Sequence, residues 1–412
     1  MADCGKLGIV NPRDDDEIVT EYLRIGLAFD LLEEGFVDAY TGDPALVAQV
    51  RDEPRPDPAV LARRAAALRD RLPGGLPADR AEFLASHLRA LECSARKFAG
   101  EDIGFVDEVR AYFDVDIAPQ DPDVYRQAHR ALADALGVAD DPATLRDAYR
   151  AYRKSTEIPA DRLADCVDAF ASALRDEVRK TVDLPVEETV DFEIVSDQPW
   201  SGFNYYLGGY RSRVAINTDV PQHLAALPHL VAHEAYPGHH TEHCRKEKLL
   251  VGGGQREQTI FLVNTPQCLM AEGLADHALR AAMGPDWPLW AETIYADLGL
   301  RFDARKATAV GEATADLLAV RQDAALLLHD RGAGPDEVAA FLATWLLVGE
   351  DRARQMLRFL TSPLWRAYIS TYVEGYRLLG EWLDAGDDRP ARFNRLLDEP
   401  LTPALLRAEL AN

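Results

Sequence analysis

The sequence predicts a mainly α-helical protein of two lobes, with one small antiparallel β-sheet or hairpin in the second lobe. Two observations support this fold class. Long stretches carry apolar residues at helical spacing and end at proline or glycine, and together they cover most of the chain. A short region between residues 190 and 217 instead alternates apolar and polar residues, as half-buried strands do.

The first predicted lobe consists of helices separated by proline- and glycine-rich breaks. Residues 1–16 form a polar leader, and apolar residues recur at helical spacing from Val19 to Leu32. Gly42-Asp43-Pro44 stops this first helix and starts another, because proline fits the first turn of a helix. Further helices are predicted over residues 60–72, 77–98, 103–113, 124–136, 142–155 and 160–182.

The pattern changes near Leu184-Pro185, where strands replace helices. Residues 190–195 alternate as a strand, and Tyr205 to Asn217 predicts a β-hairpin that turns at Gly208-Gly209. We expect the strand over residues 212–217 to offer a free edge to an extended peptide, held by main-chain hydrogen bonds. Helices then return, and they are predicted over residues 265–283, 300–329, 336–347, 351–360 and 363–385.

Length and charge limit the organisation and the partners. A chain of 412 residues exceeds one compact core, so we expect a helical lobe over residues 1–185 and a second lobe over residues 186–412. Acidic residues outnumber basic residues by 69 to 45, which gives a net charge of -24. Such a surface repels nucleic acid and anionic membranes, so the sequence predicts neither as a partner.

The cysteines and the hydropathy pattern predict a cytoplasmic protein. Five cysteines are scattered, odd in number and without a Cys-x-x-Cys pair, which does not resemble a disulfide framework. The first 16 residues contain no apolar core of a signal peptide, and no run of 18 apolar residues predicts a membrane span.

A histidine-rich segment follows the hairpin and suggests a metal site. Six of the ten histidines lie between His223 and His243, and His233-Glu234 resembles the start of a zinc-hydrolase helix. The usual second ligand lies four residues on, but here the next histidines are His239 and His240.

Helix geometry leaves the choice between these two histidines open. A continuous helix returns His240 to the face of His233, at about 100° per residue. However, Pro237 removes a backbone donor and collides with the preceding turn, and Gly238 adds freedom. The sequence therefore predicts a break or bulge at Pro237-Gly238, which could turn His239 back beside His233.

The motif His-Glu-x-x-Pro-Gly-His resembles domain-of-unknown-function family 885, a bacterial family of zinc metallopeptidase-like proteins that is distantly similar to the zincins. The resemblance implies a zincin-like metallohydrolase fold with the small sheet beside the metal helix. It also implies that His239 is the second ligand and that Glu272, in Glu272-Gly273-Leu274-Ala275, is the third. Leu274 stands where the family has tryptophan.

The apolar and small neighbours of Glu272 support its role as a ligand. They predict a buried carboxylate, and a buried charge needs a partner. Two imidazoles, one carboxylate and an open position favour a single Zn²⁺ ion. His277 and His229 remain alternative third ligands, and Asp276 could orient a ligand histidine.

The resemblance also suggests residues that bind the substrate. His329 and Tyr372 are expected to donate hydrogen bonds to an oxyanion, and Arg358 is expected to bind a substrate carboxylate. Trp365 stands where the family has glutamine, so the substrate specificity of the family does not transfer directly.

These observations predict a zinc-dependent hydrolase that cleaves peptide or related amide bonds, with a carboxypeptidase-like activity as one form of this function. Glu234 would be the general base toward a metal-activated water. A biosynthetic amide hydrolase with a non-peptide substrate and a non-catalytic, metal-stabilised binding protein are the alternatives. A helical di-iron oxidase is disfavoured, because none of the ten histidines has Glu or Asp three residues before it.

Overall fold

The computed structural model describes residues 12–197, 201–219 and 221–411, and it is mainly α-helical with two small sheets, which confirms the predicted fold class. The predicted leader lies outside the described residues up to position 11, and from Pro12 the chain is already helical. Within the described ranges, no helix is both long enough and apolar enough to cross a membrane.

Aspartate followed by proline starts four helices of the first half. Asp43, Asp57, Asp121 and Asp141 each accept a hydrogen bond from a backbone N–H of the first turn, and a proline follows each of them. The helices of this half are α1 (Pro12–Asp30), α2 (Pro44–Arg51), α3 (Pro58–Arg71), α4 (Ala78–Phe98), α5 (Phe105–Phe113), α6 (Pro122–Leu136), α7 (Pro142–Ser155) and α8 (Leu163–Val178).

Five strands form the two sheets. They are β1 (Val37–Tyr40), β2 (Thr189–Val195), β3 (Gly202–Gly208), β4 (Arg211–Asn217) and β5 (Ile260–Leu262). Strands β1 and β5 pair antiparallel, although they come from the two halves of the chain. Strands β3 and β4 form the predicted antiparallel hairpin, and β2 adds to the other side of β4 in parallel.

Two expectations about this sheet were wrong. The sheet is mixed rather than purely antiparallel, because β2 runs parallel to β4. Strand β4, which covers the predicted free edge at residues 212–217, lies in the centre and is paired on both sides. A central strand has no main-chain groups left for a peptide, so the edge of the hairpin that remains is that of β3.

The second half returns to helices. These are α9 (Leu227–Glu234), α10 (His239–Lys246), α11 (Pro266–Met283), α12 (Trp287–Asp297), α13 (Ala304–Thr314), α14 (Val320–His329), α15 (Pro335–Trp345), α16 (Glu350–Thr361), α17 (Tyr376–Asp384), α18 (Arg389–Asp398) and α19 (Pro403–Leu410). Residues 247–251 and 371–375 form single π-helical turns, a distortion that is frequent near functional sites.

The hydrophobic core runs across the predicted lobe boundary. One continuous cluster of buried side chains extends from Ile18 to Leu406. Helix α11 lies deep in it and contacts α4, α5 and α8 of the first half as well as α9 and α17 of the second. The boundary near residue 185 therefore marks a change from helices to strands, and both halves contribute to the packing around α11.

Candidate metal centre

The predicted helix break lies between α9 and α10, and it aligns two histidines. Helix α9 ends at Glu234 and α10 begins at His239. A Cβ atom on Gly238 would lie 1.9 Å from the carbonyl oxygen of His233, so only glycine fits this close backbone approach. The break turns the ring of His239 toward His233, and the two Nε2 atoms are 3.1 Å apart.

Glu272 completes a group of three candidate ligands. Its Oε2 lies 3.2 Å from Nε2 of His233, and its Oε1 lies 3.9 Å from Nε2 of His239. A tetrahedral zinc ion with ligands at its usual bond lengths spaces those ligands about 3.3–3.6 Å apart. The three residues predicted from the sequence therefore come together at distances that suit one metal ion.

The hydrogen bonding of these atoms also fits a metal ion. Oε2 of Glu272 is buried and lies 3.2 Å from Nε2 of His233 without a well-aligned hydrogen bond, which is costly for a carboxylate oxygen. The two facing imidazole nitrogens can share at most one proton between them. A cation bound by all three atoms would satisfy both the carboxylate oxygen and the second nitrogen.

Asp276 and Tyr368 hold the ligands in place. Asp276 Oδ1 lies 3.0 Å from Nδ1 of His233, so the other ring nitrogen, Nε2, is left to face the candidate metal position. The Tyr368 hydroxyl donates to Oε1 of Glu272 at 2.7 Å. The sequence suggested the orienting role of Asp276, whereas Tyr368 was not predicted.

Neighbouring charges shift the pKa values of His233 and Glu272. Burial acts to lower the pKa of His233, but the carboxylates of Asp276 and Glu272 beside its two ring nitrogens outweigh it and raise this pKa well above the ordinary value. Burial acts to raise the pKa of Glu272, but the proximity of His233 and His239 lowers it overall. The two shifts show that this position favours a positive charge, either as a proton on His233 or as a bound cation that displaces it.

Glu234 lies beside strand β3. A Cβ atom on Gly202 would be 3.2 Å from Oε1 of Glu234, and the side-chain amide of Asn204 donates to the Glu234 backbone carbonyl at 2.6 Å. Burial, together with the nearby carboxylates of Glu272 and Asp276, raises the pKa of Glu234 above its ordinary value. A raised pKa suits a carboxylate that takes up and returns a proton near neutral pH.

Two glycines allow the π-helical turn at 371–375 to pack closely against α11. A Cβ atom on Gly273 would lie 2.6 Å from the carbonyl oxygen of Gly375, and one on Gly375 would lie 2.6 Å from that of Leu269. This contact between α11 and the turn at 371–375 explains the glycine that follows Glu272. It places the turn, with Tyr372, against the helix that carries Glu272.

Tyr372, the expected oxyanion donor, lies beside the candidate ligands. Its ring centroid lies 5.7 Å from that of Tyr368, which bonds Glu272. Burial and the nearby carboxylates of Glu272, Asp276 and Glu234 raise the pKa of Tyr372 well above its ordinary value. Its hydroxyl therefore stays protonated and can donate a hydrogen bond.

His240, the alternative to His239, belongs to a separate buried cluster. Its Nδ1 lies 2.8 Å from Oγ of Ser212 and its Nε2 lies 3.1 Å from Oε2 of Glu188. Tyr236, Arg175 and Arg179 also donate to Glu188. These hydrogen bonds overcome the opposing effect of burial and lower the pKa of Glu188 to about 2. This cluster fixes the segment between α9 and α10.

Two predicted substrate-binding residues are not brought to the centre. Nε2 of His329 lies 2.7 Å from the Leu360 carbonyl oxygen, and its ring packs on Phe105 at 5.1 Å between centroids. Arg358 is exposed on α16. The contacts of His329 hold its ring against Phe105 and Leu360, and no contact in the described part of the chain joins Arg358 to the three candidate ligands.

His277 and His229, the alternative third ligands, make other contacts. Nε2 of His277 lies 2.9 Å from the Tyr376 carbonyl oxygen, and its ring stacks on Tyr376 at 4.5 Å. His229 contacts the ring of Trp287 at 4.5 Å, and burial lowers its pKa to about 4. Neither residue belongs to the group formed by His233, His239 and Glu272.

Asp38 is a candidate functional residue that sequence reasoning missed. It lies on β1, which comes from the first half of the chain. Burial, followed by the charges of Glu272 and Glu234, raises the pKa of Asp38 to about 7. No pattern in the sequence pointed to Asp38, whereas the signal for Tyr368 was its position one helical turn before Tyr372.

Asp38→Asn should remove part of the pH dependence of stability. The pKa of Asp38 rises on folding from 3.8 to about 7, so the native state binds more protons between these values and stability falls as the pH increases. Between pH 5 and pH 8, we expect the metal-free parent to lose on the order of 2–3 kcal/mol more than the variant. Urea unfolding at both pH values measures this difference, with the exposed Asp168→Asn as control. Equal losses in the parent and both variants would contradict it.

The fold and the site define a mainly helical protein with a group of two histidines and one glutamate that could hold a metal ion. No family model and no curated protein matches the chain. The fold is similar to that of a candidate lipoprotein from Colwellia psychrerythraea, with 15% identity, a TM-score of 0.52 and coverage of 85% of this chain and 66% of that one. The chain thus spans slightly less than two thirds of the length of that protein.

A second solved structure is a candidate lipoprotein of unknown function from Shewanella oneidensis. It is 14% identical, with a TM-score of 0.49, and the match covers 94% of this chain and 69% of that one. At such low identity, the likeness to the Colwellia protein shows a shared fold alone.

Proposed function

We propose that the protein is a zinc-dependent hydrolase of peptide or related amide bonds. The observation that carries this proposal is the convergence of His233, His239 and Glu272, with Glu234 directly after the first of them. The break at Pro237-Gly238 lets His239 face His233, and α11 provides Glu272. They also support our second proposal, that the chain belongs to domain-of-unknown-function family 885.

The side chains around the metal position suit a hydrolytic mechanism. When bound, a zinc ion supplies Lewis acidity toward a carbonyl group and a water molecule. Glu234, with its raised pKa, accepts the proton of the attacking water and returns it to the leaving amine. Tyr372 keeps its hydroxyl proton and donates to the developing oxyanion.

The edge of β3 supports a peptide-like substrate. Among the described strands, β3 forms a hydrogen-bonded ladder only with β4, and β1 packs against it without pairing. This strand passes directly beside Glu234, as the close approach of Gly202 shows. Main-chain hydrogen bonds along this edge would hold a scissile amide next to the base. The strand proposed to bind the substrate is therefore β3 rather than β4, which was expected from the sequence.

We propose that the protein works in a reducing compartment, the cytoplasm. In the described part of the chain, four cysteines are buried and form no disulfide bond: Cys93, Cys166, Cys244 and Cys268. Reduced, buried cysteines suit a reducing environment, whereas secreted domains of this kind more often form disulfides.

Metal analysis combined with a hydrolysis screen tests the proposed function. The untagged protein, stripped of metal and supplied with Zn²⁺, should bind one ion per chain and cleave members of a mixed library of peptides and N-acylated amines. Cleavage of the peptides alone supports a peptidase, and cleavage of the acylated amines alone supports the biosynthetic alternative. Stoichiometric zinc without cleavage would support the metal-stabilised binding protein instead.

A further inference from the structure

A cleft formed by α6, α14, α15 and the segment before α6 is a second candidate site. Its volume is about 420 Å³, which falls within the range of sites that bind small molecules. Leu326, Leu327 and Ala340 make much of its wall apolar. None of the side chains that line the cleft belongs to the candidate metal centre. The cleft therefore needs an explanation of its own.

A buried carboxylate forms the polar part of this cleft. Oδ2 of Asp323 accepts from the Tyr125 hydroxyl at 2.7 Å and from the Gln120 backbone N–H at 3.0 Å, and the same N–H lies 3.2 Å from Oδ1. Both donors are neutral, and a carboxylate offers about four acceptor positions. Tyr125 and Gln120 therefore leave part of the hydrogen-bonding capacity of Asp323 unused.

The negative charge of Asp323 has no countercharge in contact with it. In the described part of the chain, no basic side chain forms an ion pair with Asp323, and the nearby Arg377 pairs with Glu374 instead. Burial raises the pKa of Asp323, although the hydrogen bonds from Tyr125 and Gln120 oppose this effect. A buried carboxylate without a cation is costly, so a cation that enters the cleft gains from it.

Aromatic rings lie beside this carboxylate. The ring centroids of Tyr125 and Trp345 are 5.3 Å apart at 49°, and those of Phe341 and Trp345 are 6.4 Å apart at 66°. Nε2 of His129 lies 2.9 Å from the Trp345 carbonyl oxygen, which helps to fix the tryptophan. The faces of aromatic rings attract cations, and across the described residues no lysine or arginine stacks on these three rings.

The charged groups of the lining also favour a cation. Two carboxylates, Asp323 and Glu337, and one guanidinium, Arg331, line the cleft, so two negative charges and one positive charge leave one negative charge in excess. Glu337 and Arg331 are exposed and screened by water and salt, whereas Asp323 is only 7% exposed. The inner part of the cleft thus combines one poorly screened negative charge with aromatic and aliphatic surface.

We propose that this cleft binds a small organic amine, with its ammonium group against Asp323 and its apolar body between α14 and α15. The ammonium group donates to the acceptor positions that Tyr125 and Gln120 leave open, and such charge-assisted bonds are strong. The faces of Phe341 and Trp345 add cation–π attraction. This inference is independent of the proposed hydrolase function, because it requires neither a metal ion nor Glu234.

Matched probes test the role of the charge. 2-Phenylethylammonium and 2-phenylethanol share one apolar body, and phenylacetate carries the opposite charge on a similar one. Ligand-observed NMR titrations of the full chain should give the ammonium probe an affinity about tenfold or more above that of the alcohol, the order expected of a hydrogen bond between charged groups. Asp323→Asn should remove this preference and leave the affinity for the alcohol unchanged, because an amide oxygen at the Oδ2 position still accepts from Tyr125 and Gln120.

Two further variants complete the test. Asp336 is exposed on α15 and does not line the cleft, so Asp336→Asn removes an equal charge and should keep the preference. Phe341→Leu keeps an apolar wall but removes a ring face, and it should weaken binding of the ammonium probe more than binding of the alcohol. Unchanged binding of the alcohol shows that Asp323→Asn folds, and the Phe341 variant decides if it does not.

Three outcomes would overturn the inference. Equal affinities of the parent for the ammonium probe and the alcohol would show a plain apolar cleft. A preference for phenylacetate would show that Arg331 rather than Asp323 determines the ligand. Absence of binding by all three probes would show that the cleft is not a site for ligands of this size.

Discussion

Glu234→Gln should leave the zinc content unchanged and reduce hydrolysis by about 10²-fold or more, the usual scale for loss of a general base. Glutamine keeps the size of the side chain beside Gly202 but cannot take up a proton at neutral pH. The three candidate ligands lie on other residues and keep their distances. Zinc analysis and the hydrolysis rate of an identified substrate measure the two effects separately.

The control for this variant is Glu242→Gln. Glu242 is also buried and lies on α10, but it pairs with Lys246 at 2.5 Å rather than with the candidate ligands. This substitution should retain both zinc and activity, even where it lowers stability. A Glu234→Gln protein that works at the parent rate would show that Glu234 is not the base.

His239→Ala should abolish stoichiometric zinc binding. The loss leaves only one imidazole and one carboxylate, and catalytic zinc sites use three protein ligands. Competition with a zinc-binding dye should therefore show a fall in affinity well beyond the 10–100-fold that follows the loss of an orienting residue such as Asp276. Hydrolysis should be lost to the same extent.

Two histidines of α10 provide matched controls. His243 stacks on Tyr206 at 4.6 Å, and His240 bonds Ser212 and Glu188. His243→Ala should keep stoichiometric zinc, and His240→Ala should keep most of it while it lowers the free energy of unfolding. Zinc loss in the His240 variant with full zinc retained by His239→Ala would reverse the ligand assignment.

Local chemistry explains why the helix break could be predicted from the sequence. Proline and glycine act on their own turn, so Pro237-Gly238 indicated the end of α9 without any knowledge of the fold. The choice between His239 and His240 could not be made in this way. It depends on the rotation across the break, which the contacts of Gly238 with the His233 carbonyl and of His240 with Glu188 determine.

The features that were missed all depend on distant parts of the chain. Tyr368 meets Glu272 across 96 residues, and strand β2 reaches β4 without a local turn that would reveal its direction. Asp38 comes to the centre on β1 through its pairing with β5. Periodicity reports which face of a segment is buried but not which partner buries it. Helices, the candidate ligand motif and the nearby Asp276 were therefore predictable, whereas Tyr368, Asp38 and the direction of β2 were not.

The buried Glu188 cluster has a consequence for protein engineering. Arg175 and Arg179 of the first half donate to Glu188, which in turn holds Tyr236 and His240 on either side of the helix break. A shortened chain that starts after α8 would leave a buried carboxylate without its two guanidinium partners. The candidate metal-binding motif is thus not a portable module, and grafting it onto another scaffold requires the Glu188 cluster as well as the three candidate ligands.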